Sequence, residues 1–166
     1  LSVSFLTNAN QLKKILPPGF ELSGDPVVTV FETFMKEIDW LAGRGYNVLG
    51  VEFPVVYNGT KDRAKGPFLT VLWENLTDPI LTGREQLGFS KIYCDLPEPN
   101  IFKGQVHTSA SWMGFRFLDL KLNNLEENNS FKEPLHALIP SVGISAVNKC
   151  PTKLVNYYKS FLKINL

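Results

Sequence analysis

The sequence has few residues of the kinds that bind metal ions, and it has no excess of the basic residues that bind nucleic acids. Its 166 residues include two histidines, His107 and His136, which lie far apart and belong to no HxxxH or CxxC pattern. We therefore predict no metal site. Lys and Arg number 17 against 16 acidic residues, a net charge of +1, which favours neither nucleic acid nor a membrane surface as a partner. No apolar run is long enough to span a bilayer.

Cysteines and nucleotide motifs are equally sparse. The two cysteines, Cys94 and Cys150, are too few for a disulfide framework. Sparse cysteines favour a free pair in a cytoplasmic protein over a bridge. The sequence has no GxGxxG after a strand, no GxxxxGK[ST] and no GxSxG, so it indicates neither a nucleotide site nor a hydrolase elbow. We expect no cofactor.

The composition, 44% hydrophobic and 20% charged, is that of an ordinary globular chain, and its length predicts one domain over residues 1–166. The start at Leu1, without an initiator methionine, is compatible with truncation at the N-terminus. Alternation with period two predicts strands over residues 27–35, 49–57, 68–76, 105–112 and 115–122, with short strands in 134–147. Helices are predicted over residues 7–16 and 151–165. This pattern predicts an α+β fold with a mostly antiparallel sheet that closes or wraps.

One stretch combines several local signals. Thr82 and Glu85 have the spacing of a capping box, which predicts a short helical turn opening at Gly83. Gly88 is placed to end that turn. An aromatic and β-branched run follows, so Lys91 is predicted near the start of a strand. With little solvent around it, a lysine there would lose proton affinity and become a nucleophile, although an isolated lysine is usually a solvated surface charge.

This stretch carries a family resemblance. Residues 83–85 (GRE) and 88–91 (GFSK) resemble the "GRE…(Y/F)PK" signature of the acetoacetate decarboxylase family. The similarity extends upstream through residues 54–59, Phe31-Glu32 and residues 12–17, and it fades after about residue 122. The resemblance implies a cone-like closed antiparallel β-barrel with a few peripheral helices. It also implies a homo-oligomer whose lysine forms a Schiff base with a small carbonyl substrate.

The resemblance assigns the catalytic roles to Lys91 and Glu32. Glu32 is the single charge on an otherwise apolar strand face, which indicates either an edge position in water or a functional carboxylate in a pocket. Because family members carry a site glutamate after phenylalanine here, we favour the pocket. A catalytic Lys91 is then expected to be buried, close to Glu32, with a depressed pKa.

Substrate-binding residues are predicted by charge or by position near Lys91. The candidates are Arg84, Glu85, Phe31, Phe89, Trp112 and Arg116. For Arg84, support of the turn that carries Lys91 is an equal alternative to binding a substrate carboxylate.

Three departures from the family pattern bear on function. Ile92 stands where the decarboxylases carry a second lysine, and Val48 stands where a second site glutamate follows Tyr-Asn. The family's substrate-carboxylate arginine would fall upstream of Leu1. We therefore predict a Schiff-base-forming lyase acting on a keto acid or related carbonyl compound, by decarboxylation or aldol-type chemistry. The alternative is a non-catalytic small-molecule-binding barrel, in which Lys91 would be solvated or salt-bridged.

Overall fold

The computed structural model describes residues 1–126, which form two β-sheets and two α-helices. In chain order the elements are β1 (Ser2–Leu6), α1 (Ala9–Ile15), β2 (Phe20–Leu22), β3 (Val27–Met35), a 3₁₀ turn (Asp39–Leu41), β4 (Tyr46–Asn58), β5 (Arg63–Glu74), α2 (Thr77–Leu87), β6 (Lys91–Tyr93), β7 (Asn100–Phe102), β8 (Gln105–Trp112) and β9 (Phe115–Leu122). Neither helix is long and apolar enough to cross a membrane.

The strands form an open arrangement. The larger sheet has the order β1-β3-β4-β5-β6, with β2 paired to β4, and all its pairs are antiparallel except β5–β6. The smaller sheet, β7-β8-β9, is antiparallel. The mostly antiparallel α+β fold is confirmed. The closed barrel is not found within residues 1–126, because β1 and β6 end the larger sheet without pairing to each other, and closure requires an unbroken ring of strands.

Local sequence signals placed most elements correctly. The predicted bounds of β3, β8 and β9 are those observed, and α1 begins after Asn8, whose side chain accepts a hydrogen bond from the Asn10 backbone. Gly88 ends α2 in the left-handed conformation, at φ +73°, as predicted. The capping box at Thr82 is wrong: α2 begins at Thr77, and the Thr82 hydroxyl donates instead to the carbonyl of Asp78, one turn back.

Some predictions fall beyond the described part of the chain. They concern the strands in residues 134–147, the helix over 151–165, His136 and Cys150. Cys94 is free and buried, and burial raises the pKa of its thiol to about 12.

The larger sheet has two faces with different neighbours. Cross-strand partners share a face, and successive residues alternate between faces. Val30, Leu49 and Trp73 lie on the face that packs against the smaller sheet, where the Trp73 ring is 5.2 Å from that of Phe117. We call this the sheet-packing face. The opposite side, lined by Phe31, Val48 and Leu72 and partly covered by α2, is called the helix face.

A glycine on the helix face makes room for an aromatic ring. Gly50 is the cross-strand partner of Phe31, and a Cβ on Gly50 would lie 2.1 Å from Phe31 Cζ. We expect Gly50→Ala to lower the free energy of unfolding by about 1–3 kcal/mol, because the buried ring must shift. Urea denaturation measures the change. Gly50→Ala should cost less stability in a Phe31→Leu background than in the wild type, because leucine leaves room for the added Cβ. An unchanged stability of Gly50→Ala in the wild type would contradict this packing.

Glu52, on the helix face, has a buried oxygen, Oε2, without a hydrogen-bond partner among the described residues. Burial raises the pKa of Glu52 from its ordinary value of 4.5. The folded protein therefore retains this proton to a higher pH than the unfolded chain, and the associated stability is lost as pH rises through the folded pKa. We expect Glu52→Gln to be more stable than the wild type at pH 7, with the difference vanishing near pH 4. Lower stability of Glu52→Gln at pH 7 would contradict this.

Candidate active site

Lys91 begins β6, directly after the connection from α2. The chain runs from β5 through α2 to β6, and β6 pairs parallel to β5, with Lys91 beside Leu72. This β-α-β unit lays α2 against the sheet, so Lys91 is only 8% exposed. The predicted burial of Lys91 near a strand start is confirmed.

The Lys91 amine is held by three neighbours. Its Nζ lies 2.7 Å from Glu74 Oε1 and donates a hydrogen bond to the carbonyl of Pro79, at 3.1 Å. The ring centroid of Phe89 is 5.5 Å from Nζ, within cation–π distance. These contacts fix the amine between the end of β5 and the first turn of α2.

Gly83 allows the helix to approach the lysine. A Cβ on Gly83 would lie 2.4 Å from Lys91 Cε and 2.6 Å from Nζ, far closer than carbon and nitrogen atoms pack. Any side chain at this position must displace the amine. The glycine of the GRE run therefore serves the lysine directly, by giving it room under α2.

Glu74 is the carboxylate that the sequence interpretation missed. It is the last residue of β5, 0% exposed, and lies directly opposite Val48 in β4. Burial raises the pKa of Glu74, an effect that the close contact and charge of Lys91 oppose. Within residues 1–126, neither carboxylate oxygen has a partner in hydrogen-bond geometry, and Oε1 meets Lys91 as an ion pair. Strand alternation was one signal that could have found Glu74. Residues 72 and 74 of one strand lie on the same face, and Leu72 is the strand partner of Lys91.

Glu32 lies on the other side of the sheet. Its partner in β4 is Leu49, on the sheet-packing face, and both β4 and β5 stand between β3 and β6. Thr108 donates a 2.7 Å hydrogen bond to Glu32 Oε1. Glu32 is 4% exposed, so the edge position in water is wrong, and burial raises its pKa while the Thr108 bond opposes the rise. The expected proximity of Glu32 and Lys91 is also wrong, because the register puts them on opposite faces.

Of the predicted substrate-binding residues close to Lys91 in sequence or on its face, some contact it and others do not. Arg84 Nη1 donates to the backbone carbonyl of Lys91, at 2.8 Å, so Arg84 supports the turn that carries Lys91. Phe89 contacts the amine, and Phe31 is buried on the same face of the sheet. Glu85 is exposed.

Trp112 and Arg116 belong to a different part of the molecule. Both lie in the smaller sheet, at the turn between β8 and β9, and both are exposed. Arg116 pairs with Asp119 at 2.9 Å. Its neighbour Phe117 packs on Trp73, on the sheet-packing face, whereas Lys91 pairs with Leu72 of the helix face.

The site thus consists of a buried primary amine, an adjacent buried carboxylate and an aromatic ring. A primary amine in such surroundings can add to a carbonyl carbon and form an imine. Among residues 1–126, no three His, Cys, Asp or Glu side chains cluster to hold a metal ion.

Several solved structures are similar in fold to this chain. Acetoacetate decarboxylase from Legionella pneumophila aligns with a TM-score of 0.56 at 23% identity, over 69% of this chain and 43% of that protein. The enduracididine biosynthesis enzyme MppR, in complex with pyruvate, aligns with a TM-score of 0.62 at 14% identity, over 77% of this chain and 55% of MppR. Another MppR structure holds the condensation product of pyruvate and imidazole 4-carboxaldehyde. At these identities the likeness establishes the fold.

Sequence comparison gives the family. Acetoacetate decarboxylase from Clostridium botulinum is 28% identical over 134 residues, which are 76% of this chain and 52% of that protein. The chain therefore spans about half the length of this curated relative. The sequence model of the acetoacetate decarboxylase family matches residues 1–163. Together with the fold, this match shows that the chain belongs to the acetoacetate decarboxylase family.

Proposed function

We propose that the chain is a Schiff-base-forming lyase that acts on a keto acid or a related carbonyl compound, with Lys91 as the nucleophile. The observation that carries the proposal is the buried Lys91 amine, fixed between Glu74 and the Pro79 carbonyl beneath α2. Helix α2, strand β6 and the gap at Gly83 together enclose the amine. A surface lysine would not need such an enclosure.

The chemistry follows from the imine. Once Lys91 has condensed with a ketone, the protonated imine accepts the electron pair released when a neighbouring C–C bond breaks or an α-proton leaves. For a β-keto acid the released group is carbon dioxide. For a ketone with an α-proton, the resulting enamine can attack an aldehyde, which is an aldol-type condensation.

The relatives support both branches. The curated relative and the Legionella protein are acetoacetate decarboxylases, whereas MppR binds pyruvate and a condensation product of pyruvate with an aldehyde. Ile92, in place of a second lysine, and Val48, in place of a glutamate, distinguish this site from the decarboxylase signature. We therefore place this chain among family members that use another carbonyl substrate.

A second candidate function is a non-catalytic domain that binds a small carbonyl compound. The ion pair between Lys91 and Glu74 is the observation that favours it, because a protonated amine has no lone pair with which to attack a carbonyl. The two functions differ in whether a covalent bond to Lys91 forms.

Borohydride trapping distinguishes them. Incubation with pyruvate, acetoacetate and other α- and β-keto acids, followed by sodium borohydride, is expected to leave a reduced adduct on Lys91, detected by peptide mass spectrometry. The adduct should be absent in Lys91→Ala and present in Lys36→Ala, since Lys36 is an exposed lysine paired with Glu98. A folded wild type that gives no adduct with any ketone would contradict the lyase and support the binding domain.

Gly83→Ala tests the enclosure of the amine. Alanine is the better helix former by roughly 0.5–1 kcal/mol, and the atoms that its Cβ meets are the mobile end of Lys91. We therefore expect a folded protein in which the amine is pushed away from Glu74, with adduct formation at least about tenfold slower, a barrier increase of about 1.4 kcal/mol.

Leu81→Ala is the matched control, because Leu81 is an exposed residue of the same helix and should trap at the wild-type rate. Equal trapping rates in Gly83→Ala and the wild type would show that the packing of α2 on Lys91 has no part in the chemistry.

A further inference from the structure

We propose that Glu74 is the acid–base residue of this site: it carries protons from the Lys91 amine to the carbonyl oxygen, which leaves as water. This role rests on the proposed imine chemistry and extends it to a residue on another strand. It also accounts for the ion pair, which by itself would leave the amine unreactive.

The first argument is contact with the reacting atom. Glu74 Oε1 lies 2.7 Å from Lys91 Nζ, within the distance over which a proton passes directly between two groups. Among residues 1–126, the other polar group in contact with the amine is the Pro79 carbonyl, which accepts hydrogen bonds but does not take up a proton near neutral pH. Of these two groups, only the carboxylate can receive the proton that the amine must lose.

The second argument is burial. Glu74 is 0% exposed and Lys91 is nearly so, and burying two charges is costly even when they are paired. Moving one proton from Lys91 to Glu74 converts the ion pair to a neutral amine and a neutral acid, which the flanking side chains of Val48 and Leu72 favour. Tyr46 lies on the same face, where burial and the nearby charge of Glu74 raise the pKa of its hydroxyl. Both forms of the pair hold the same number of protons, so the interconversion needs none from solvent.

The third argument is the unused oxygen. Glu74 Oε2 is buried and has no hydrogen-bond partner among the described residues. Buried carboxylate oxygens are normally bonded, so an unpartnered oxygen beside a reactive amine has the capacity to serve a bound molecule. A hydroxyl on the carbon attached to Nζ would lie near this carboxyl group.

The reaction balances with Glu74 alone as the proton carrier. The Lys91 ammonium gives a proton to Glu74, and its nitrogen lone pair forms the C–N bond while the carbonyl π electrons move to oxygen. Glu74, now a carboxylic acid, donates its proton to that oxygen and accepts the second proton from the nitrogen, giving a carbinolamine. Glu74 then protonates the hydroxyl, the C–O bond breaks, water leaves, and the nitrogen lone pair forms the C=N bond. The net change is ammonium plus carbonyl to protonated imine plus water, with Glu74 again a carboxylate beside the cation.

The sheet register offers a direct way to move this carboxylate. Glu74 and Val48 are opposed residues of β5 and β4 on the helix face, and opposed side chains have Cβ atoms about 4.5–5.5 Å apart. A glutamate at position 48 can therefore reach the same amine from the neighbouring strand. The double variant Val48→Glu/Glu74→Val exchanges the two side chains and conserves the composition of the site.

The experiment measures the rate at which sodium cyanoborohydride traps an adduct on Lys91 from pH 5.5 to 8.5, with pyruvate and acetoacetate as probes. For Glu74→Gln we expect a loss of about 100-fold or more at pH 7, the lower end of general acid–base contributions. The remaining rate should depend on pH, because the proton that the amine loses and the proton that loss of water requires must now be exchanged with solvent. The wild-type rate should change little over this range. The exchange variant should recover at least a tenth of the wild-type rate.

Glu52→Gln is the matched control, since Glu52 is a half-buried carboxylate on the same face whose cross-strand partner is Leu69 and not a residue of the Lys91 pair, and it should trap like the wild type. Circular dichroism confirms the fold of each variant. If Glu74→Gln does not fold, the exchange variant and the wild-type pH profile test the acid–base role of Glu74 instead. A folded exchange variant without adduct, or a wild-type rate that changes steeply with pH, would overturn the role of Glu74.

The two proposals fail in different ways. No adduct in the wild type with any carbonyl probe contradicts imine formation itself. An adduct that forms in Glu74→Gln at the wild-type rate, with the same pH profile, contradicts the role of Glu74 alone and leaves Lys91 as the nucleophile.

Discussion

The candidate site depends on one buried ion pair, formed by Lys91 and Glu74. Removing one partner of such a pair leaves an uncompensated buried charge, which costs about 3–5 kcal/mol, so each residue constrains the other. Three consecutive elements supply the parts: β5 ends in Glu74, α2 contributes the Pro79 carbonyl and the gap at Gly83, and β6 begins with Lys91. The parallel pairing of β5 and β6 is what brings the two charges together.

The two faces of the larger sheet bury different polar groups. On the helix face Glu74 is paired with the Lys91 amine, with aromatic and aliphatic residues around them. On the sheet-packing face Glu32 is buried as well, but Thr108 binds it across the contact with the smaller sheet. Two buried glutamates in one sheet thus differ in kind: one is bonded to a hydroxyl between sheets, and the other is paired with a lysine beneath a helix.

Local signals predicted the elements, and non-local pairing decided the site. Asn8, Gly88 and the alternation in β3, β8 and β9 act over a few residues, so the sequence alone located them. The start of α2 was misplaced because Thr82 and Glu85 fit a cap while the end of β5 sets where the helix begins. Glu74 was missed because its contact with Lys91 forms only when β6 pairs with β5. Alternation placed Glu32 on a face but could not tell which face α2 covers.

A crystal structure of the protein after incubation with pyruvate and reduction with borohydride tests the central claim most directly, because it shows the bond and its surroundings together. Our account requires density for a carbon chain attached to Lys91 Nζ, with a Glu74 oxygen within hydrogen-bond distance of that nitrogen and α2 packed over it through Gly83. An unmodified Lys91 still paired with Glu74, in a crystal where pyruvate occupies another part of the protein, would contradict the account.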